Sequence, residues 1–550
     1  MIGILGTNRT RRNGGVLVLD GFVPWPLEVV VNYIRSGHWE DRTLPDVLLA
    51  ACAQNSSRTA LVRGDDRITY AELERESAGL AVLFQRHRIR PLDRVVLQLP
   101  NTPRFVTTLL ALLRIGAIPV LALPGHRHNE LTQLADRSGA VACVVPDRHE
   151  GFDHGELARS VLAEVNSVRH VFVDGEPAGS TQLEPDFGPD PAPVEIDPTD
   201  PALFLLSGGT TGVPKLIPRT HQDYLCGIRA SSAALLDHLD PVYLAVNPVA
   251  HTAALGCPGV LGTLLAGGTA VLATTRRPAE LFELIERERV SLTTLVPPLV
   301  RTWVDAARKQ TVSLPRLMLQ VGSAKFGMTE AREARKLLGC SMSNWFGVGE
   351  GMMTWHRVEN DSGDTGGEGR PLLSADEIVV VDEHDNPLPP GREGALLVRG
   401  PYTIRAYFRA PEINADSFTS SGFFRTGDLA RINADGELDV LGRIKDIVNR
   451  GGNKVPVEEV EHYLLTYPGV IDAAVFGVPD AVLGERTHAH VVMNTERPEP
   501  GAIKRHLRAR GLATYKIPDR VVFAAQLPRT PVGKLDRRAL AAESAGARAK

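Results

Sequence analysis

The chain has no cysteine framework, no excess of positive charge and no uninterrupted apolar run long enough to cross a membrane. Its five cysteines, Cys52, Cys143, Cys226, Cys257 and Cys340, are odd in number and widely spaced. That argues against paired disulfides or a zinc-ligand cluster and suits a reducing cytoplasm. A formal net charge of -4 over 550 residues gives no general pull towards nucleic acid or an anionic membrane. The arginine-rich pieces near residues 9–12, 505–510 and 537–538 read as solvated faces or tails. The most apolar stretch, residues 106–123, is broken by Arg114 and Pro119 and reads as a buried helix, a turn at Gly116 and a core strand. Basic residues follow the short apolar start of MIGILGTNRTRR rather than precede it, so a secretory signal is not expected. No internal repeat is visible.

A chain of this length exceeds what one hydrophobic core usually serves. Residues 1–43 read as an irregular N-terminal segment whose aromatics, Phe22, Trp25, Tyr33 and Trp39, pack onto the body. From residue 44, strands and helices alternate, as in TALVRG, AELERESAGLAVLFQRH and RVVLQLP. This predicts an α/β fold, with a large body of mostly parallel sheets flanked by helices over residues 44–444. From about residue 377, Asp-Asn, Asp-Gly and Pro-Pro-Gly turns mark a β-rich subdomain ending that body. Residues 445–540 read as a small α+β domain and 541–550 as a tail.

The strand LFLL at residues 203–206 runs into SGGTTGVPK. Gly208, Gly209 and Gly212 allow a tight turn that brings amide N–H groups to an anion. Ser207, Thr210 and Thr211 add hydroxyl donors, and Lys215 adds a charge. This is not a Walker loop: Val213 and Pro214 separate the last glycine from the lysine, and Pro214 has no N–H. The loop alone fits a phosphate or a plain turn equally well.

With NWFGVGEG at residues 344–351, FFRTGDL at 423–429, GRIKD at 442–446 and RTPVGK at 529–534, the chain resembles the adenylate-forming superfamily over about residues 40–540. That superfamily includes acyl-CoA synthetases, nonribosomal peptide adenylation domains and firefly luciferase. The segments FVPWP, SGGTTGVPKLIPRTHQDY, VGSAKF, RGPYTIRAYF and LATYKIPDRV narrow the resemblance to stand-alone aryl-acid adenylating enzymes of siderophore and related pathways.

The resemblance implies a reaction in which a carboxylate attacks the α-phosphorus of ATP and pyrophosphate leaves. Two anions must meet, so positioning and positive charge are required. It implies that the loop from Ser207 holds the β- and γ-phosphates and that Glu350 holds Mg²⁺. Phe346 and Gly347 would line the nucleotide, Asp428 would grip the ribose hydroxyls, and Arg443 would add a ribose or phosphate contact. Gly322, Ser323, Ala324 and Lys325 would line the adenine and acyl pocket, and Lys534 would be the catalytic lysine bridging carboxylate and α-phosphate. Lys445 falls at the hinge about which the small domain turns, and Gly451 and Gly452 at the thiol channel of the second state.

His251 matches the residue that gates the carboxylate. Thr252 stands where the salicylate and dihydroxybenzoate enzymes have asparagine, and Ala253 where Tyr or Phe is common. Trp345 replaces a usual valine, and Cys257, Met352 and Met353 complete an apolar wall. A flat aromatic carboxylic acid is implied; Thr252 departs from the salicylate and dihydroxybenzoate pattern, and 3-hydroxypicolinate, 3-hydroxyanthranilate and quinaldate are the alternatives. The thiol acceptor is expected to be the phosphopantetheine arm of a separate carrier protein, since the chain ends soon after Lys534, or else coenzyme A.

Overall fold

The computed structural model of the protein describes residues 9–11, 17–207, 214–236, 240–322, 326–358, 367–450, 453–480, 482–499, 501–510, 512–529, 535–537 and 539–541. The chain divides into two compact units. The first comprises residues 1–365, 371–377 and 398–424, and the second residues 366–370, 378–397 and 425–550. Most of the β-rich segment, which the sequence reading set at the end of the large body, therefore falls in the second unit.

Two sheets build the first unit. In one, Arg94–Leu97, Ile118–Leu121, Ala142–Pro146 and His170–Asp174 run parallel. Pro201–Leu206 joins beside Ile118–Leu121, and Leu216–Thr220 pairs antiparallel with its far side. In the other, Ser341–Asn344, Met318–Val321, Leu292–Leu295, Val242–Ala245, Thr269–Leu272 and Thr59–Arg63 are successive parallel neighbours. Strands such as Arg94–Leu97 and Leu292–Leu295 are buried along their whole length. Helices covering both faces of a parallel sheet give that pattern, rather than the alternation of a half-wet sheet.

Local sequence sets the helix starts. Thr69 Oγ1 accepts the Glu72 N–H while the Glu72 carboxylate accepts the Thr69 N–H, opening the helix Tyr70–Arg86. The same reciprocal cap opens Leu44–Gln54 and His221–Leu235. The N-terminal segment is more ordered than the sequence suggests: Leu27–Arg35 is a helix, and Trp25 and Trp39 are buried against each other edge-on. The Trp39 indole N–H donates to the Pro401 carbonyl at 2.8 Å.

In the second unit, Phe424–Ile432 pairs antiparallel with Leu438–Arg443. A further sheet carries Val470–Asp480, Gly484–Met493 and Arg520–Ala524, packed on the helix Val457–Leu465 through Val460, Leu464, Val475 and Val491.

Candidate active site

The candidate residues of the first unit gather just beyond the carboxyl ends of parallel strands, where open α/β sheets form their binding crevices. Gly322 follows Met318–Val321, Trp345 follows Ser341–Asn344, and His251 lies six residues past Val242–Ala245. Ser207 follows Pro201–Leu206 directly.

The glycine- and threonine-rich segment after Leu206 is closed at its base. The Ser207 N–H donates to the Lys215 carbonyl, and the Lys215 N–H donates to Ser207 Oγ, both at 3.0 Å. Gly208, Gly209, Thr210, Thr211 and Gly212 lie outside the described residues, as do Ser323, Ala324, Lys325, Gly451, Gly452 and Lys534. The backbone of Lys445 lies in the 3₁₀ turn Ile444–Asp446, and its side chain is likewise outside.

Lys215 connects that loop to Glu350. Its ammonium sits 4.4 Å from the centre of the Tyr407 ring, and the Tyr407 hydroxyl donates to Glu350 Oε1 at 2.5 Å. One aromatic ring thus meets a cation on its face and a carboxylate at its polar edge. Glu350 is 9% exposed, so its position is set by the turn that carries it.

That turn is held at nearly every polar atom. Arg219 donates through Nη1 to the Gly349 carbonyl at 3.1 Å, and the Ile404 N–H donates to the Glu350 carbonyl at 2.7 Å. The Gly351 N–H returns to Val348, the Leu372 N–H meets the Met353 carbonyl, and the Met353 N–H donates to the Tyr402 hydroxyl at 3.3 Å. Gly351 has φ +105° and faces the Tyr402 carbonyl so closely that a Cβ would overlap it, so no other residue fits. Met352 has φ +118°, a conformation that surrounding contacts must enforce.

Arg219 and Asp223 form a buried ion pair, Nε to Oδ1 2.7 Å, with side chains 3% and 1% exposed. Asp223 Oδ2 also caps its helix by accepting the Thr220 N–H and hydroxyl. Arg219 Nη2 reaches the Tyr402 carbonyl at 2.9 Å, so one guanidinium holds both the Glu350 turn and the segment behind it.

Ala253, Cys257, Trp345, Met353, Cys226 and Tyr402 share one apolar cluster with Trp25 and Trp39. The Trp345 indole lies across Gly322 and Gly347, and a Cβ on either would run into the ring. Of the residues expected to line the acyl pocket, Ala253, Cys257, Trp345 and Met353 fall in this cluster, and Met352 is fully buried. Burial pushes the Cys257 thiol up to about 12, so it serves as apolar surface rather than as a nucleophile. His251 caps the short helix Thr252–Gly256, accepting the Ala253 N–H at Nδ1, 3.3 Å.

In the second unit Asp428 is paired in register with Arg443, whose Nε lies 2.9 Å from Asp428 Oδ1 and whose Nη1 donates to the Thr426 carbonyl. Asp428 belongs to the strand Phe424–Ile432 rather than to a turn, and it is 3% exposed. A buried carboxylate fixed by a guanidinium suits a pair of vicinal hydroxyls.

Arg219, Tyr402, Tyr407 and Asp376 were not singled out from sequence. Thr220 and Asp223 at capping-box spacing were the one local signal near them. The carboxyl of Asp376, raised to about 7 by burial, accepts the Tyr402 hydroxyl at 2.7 Å.

Among the described residues no group of three or more His, Cys, Asp and Glu could hold a metal by itself. A buried carboxylate such as Glu350 nevertheless fits Mg²⁺, which is commonly held by one or two carboxylates together with substrate phosphates and waters. Among the described residues no helix is long and apolar enough to cross a membrane.

Comparison with known proteins agrees with this geometry. Residues 48–408 match the family of AMP-binding enzymes, and residues 459–534 match the AMP-binding enzyme C-terminal domain. The chain is 52% identical to triostin synthetase I of Streptomyces triostinicus, over 96% of this chain and 100% of that one. It is 44% identical to the 2,3-dihydroxybenzoate-AMP ligase of Bacillus subtilis, over 95% and 97%. The apo structure of Mycobacterium smegmatis MbtA superposes with a TM-score of 0.73 at 42% identity, covering 96% of this chain and 99% of that chain. Over this length and at this identity the likeness shows the family: the chain belongs to the AMP-binding enzymes, among their stand-alone aryl-acid adenylating members.

Proposed function

We propose that this enzyme activates a flat aromatic carboxylic acid with ATP, releasing pyrophosphate, and passes the aryl group from the aryl-adenylate to the phosphopantetheine thiol of a separate carrier protein. The observation that carries the reading is the convergence in one unit of the clasped Ser207–Lys215 hairpin base, the Glu350 turn and the Trp345 wall. A carboxylate and a triphosphate need these three things: a phosphate cradle, a metal-binding carboxylate and an apolar slot.

In this reading Ser207 and Lys215 hold the terminal phosphates, and Glu350 holds the magnesium ion, which neutralises charge on the phosphate oxygens. His251 orients the incoming carboxylate, and Trp345 with Ala253 and Cys257 sets the face on which the aromatic ring lies. Thr252 offers one hydroxyl, on a shorter side chain and without an amide's separate NH₂ and C=O groups, so the pocket imposes a weaker demand for an ortho hydroxyl. Asp428 and Arg443 take the ribose, and Lys534 stabilises the charge that develops between carboxylate and α-phosphate.

The test is acid-dependent exchange of labelled pyrophosphate into ATP over a panel of benzoic, hydroxybenzoic, picolinic and bicyclic aryl acids, followed by thioester formation. Exchange with aryl acids and none with acetate or long-chain fatty acids is the expected result. Absence of exchange with every aryl acid would overturn the reading, and acylation of coenzyme A in preference to a carrier protein would overturn its second half.

A further inference from the structure

We infer that Tyr402 is a positioning residue for adenylation, its hydroxyl tying the aryl pocket to the Glu350 turn. The inference rests on the reading of Glu350 as the magnesium carboxylate. The Tyr402 ring packs in the apolar cluster with Trp345 and Ala253. Its hydroxyl accepts the Met353 N–H at 3.3 Å and donates to Asp376 Oδ2 at 2.7 Å, using donor and acceptor capacity together. Asp376 is itself held by the Leu373 N–H, 3.1 Å from the same oxygen.

What gives this contact its leverage is the backbone between Met353 and Glu350. Gly351 and Met352 both have positive φ, +105° and +118°, and the methionine there persists only because neighbours over-determine it. The Tyr402 hydroxyl fixes the far end of that strained pair, and the Tyr402 carbonyl crowds Gly351 from behind. Removing the hydroxyl leaves a buried N–H without its acceptor and lets the turn relax. Relaxation moves Met353, part of the pocket wall, and Glu350, three residues earlier, together. A tyrosine with only a packing role would lower stability without shifting both ligand constants.

The experiment uses the full chain and the aryl acid that exchanges best with the wild type. Mn²⁺ binding in the presence of ATP is read from the paramagnetic resonance signal of the free ion, and the acid KM from pyrophosphate exchange. Tyr402→Phe is expected to weaken Mn²⁺ binding about threefold and raise the acid KM about fivefold, with a smaller change in kcat. Tyr70→Phe is the control, since its hydroxyl is also buried and bonded, to the carbonyls of Leu264 and Gly268 at 3.0 and 2.6 Å. It should leave both constants within about twofold while costing similar stability. Asp376→Asn keeps an acceptor for the hydroxyl and should stay near wild type, whereas Asp376→Leu should behave as Tyr402→Phe and replaces it if that variant does not fold. Glu350→Gln separates the two readings. If it leaves Mn²⁺ binding unchanged, the metal assignment fails. If it weakens binding while Tyr402→Phe and Asp376→Leu move neither constant, the positioning role alone is overturned.

Discussion

Replacing Arg219 with methionine probes the buried ion pair behind the Glu350 turn. The substitution keeps most of the aliphatic bulk but removes the guanidinium from Asp223 and from the carbonyls of Gly349 and Tyr402. Asp223 keeps its two capping bonds from Thr220, but its charge loses the cation. Leaving a carboxylate without its cation in so dry a place costs about 4 kcal/mol, the middle of the roughly 3 to 5 kcal/mol seen when one partner of a buried pair is removed. We therefore expect Arg219→Met to lose about 4 kcal/mol in urea unfolding at pH 7. The double variant Arg219→Met with Asp223→Asn should recover at least about 2 kcal/mol as a coupling in the double-mutant cycle. A loss below about 1 kcal/mol for the single variant, or a double variant no more stable than the single, would refute the argument.

Three buried groups with large shifts contribute to the acid stability of the first unit, beside the smaller shifts of His126, His170 and Asp174. Burial lowers His154 and His221 to about 4, so the unfolded chain binds more protons than the folded one below pH 6.5, and stability falls as pH drops. Asp376, raised to about 7, binds its proton in the folded state and opposes that trend below pH 7. Two histidines against one carboxyl leave a net loss of about 1.4 kcal/mol per pH unit between roughly pH 6 and 4.5. Asp376→Asn should about double that slope in urea titrations, and an unchanged slope would contradict it. Gly347→Ala should cut kcat/KM for the acid by about tenfold or more by driving a methyl into the Trp345 indole, with Trp345→Val restoring part of it in the double variant. Lys534→Ala should lower the adenylation kcat about a hundredfold or more with little change in ATP KM, and Lys445→Pro should impair thioester formation while sparing adenylation, both read by separate half-reaction assays.

The alternation of strands and helices was legible where the parallel strands are short apolar runs, as at Ile118–Leu121 and Ala142–Pro146, and less so where they read SMSN or LTTL. The helix after Thr69 was legible from its amphipathic pattern, and the structure adds the reciprocal cap between Thr69 and Glu72. The helix Leu27–Arg35 was missed because its Val-Val-Val run after two prolines favours extended backbone locally, and packing overrides that preference. The clasped loop, Glu350 and the Ala253–Trp345 wall were read from contiguous motifs. Arg219, Asp376, Tyr402 and Tyr407 were not, because their work is done across long separations: 130 residues between Arg219 and Gly349, and 57 between Tyr407 and Glu350. No local pattern encodes a contact of that kind. Likewise, a methionine at positive φ follows from its surroundings and not from its own preference.

The single bond from the Trp39 indole to the Pro401 carbonyl has an engineering consequence. It fastens a stretch of chain that bears no reaction chemistry to the residue next to Tyr402. Anyone transplanting acid preference between members of this family would therefore need to move the first forty residues along with the pocket. A graft that exchanged only the strand-end loops would set a new slot against a foreign brace.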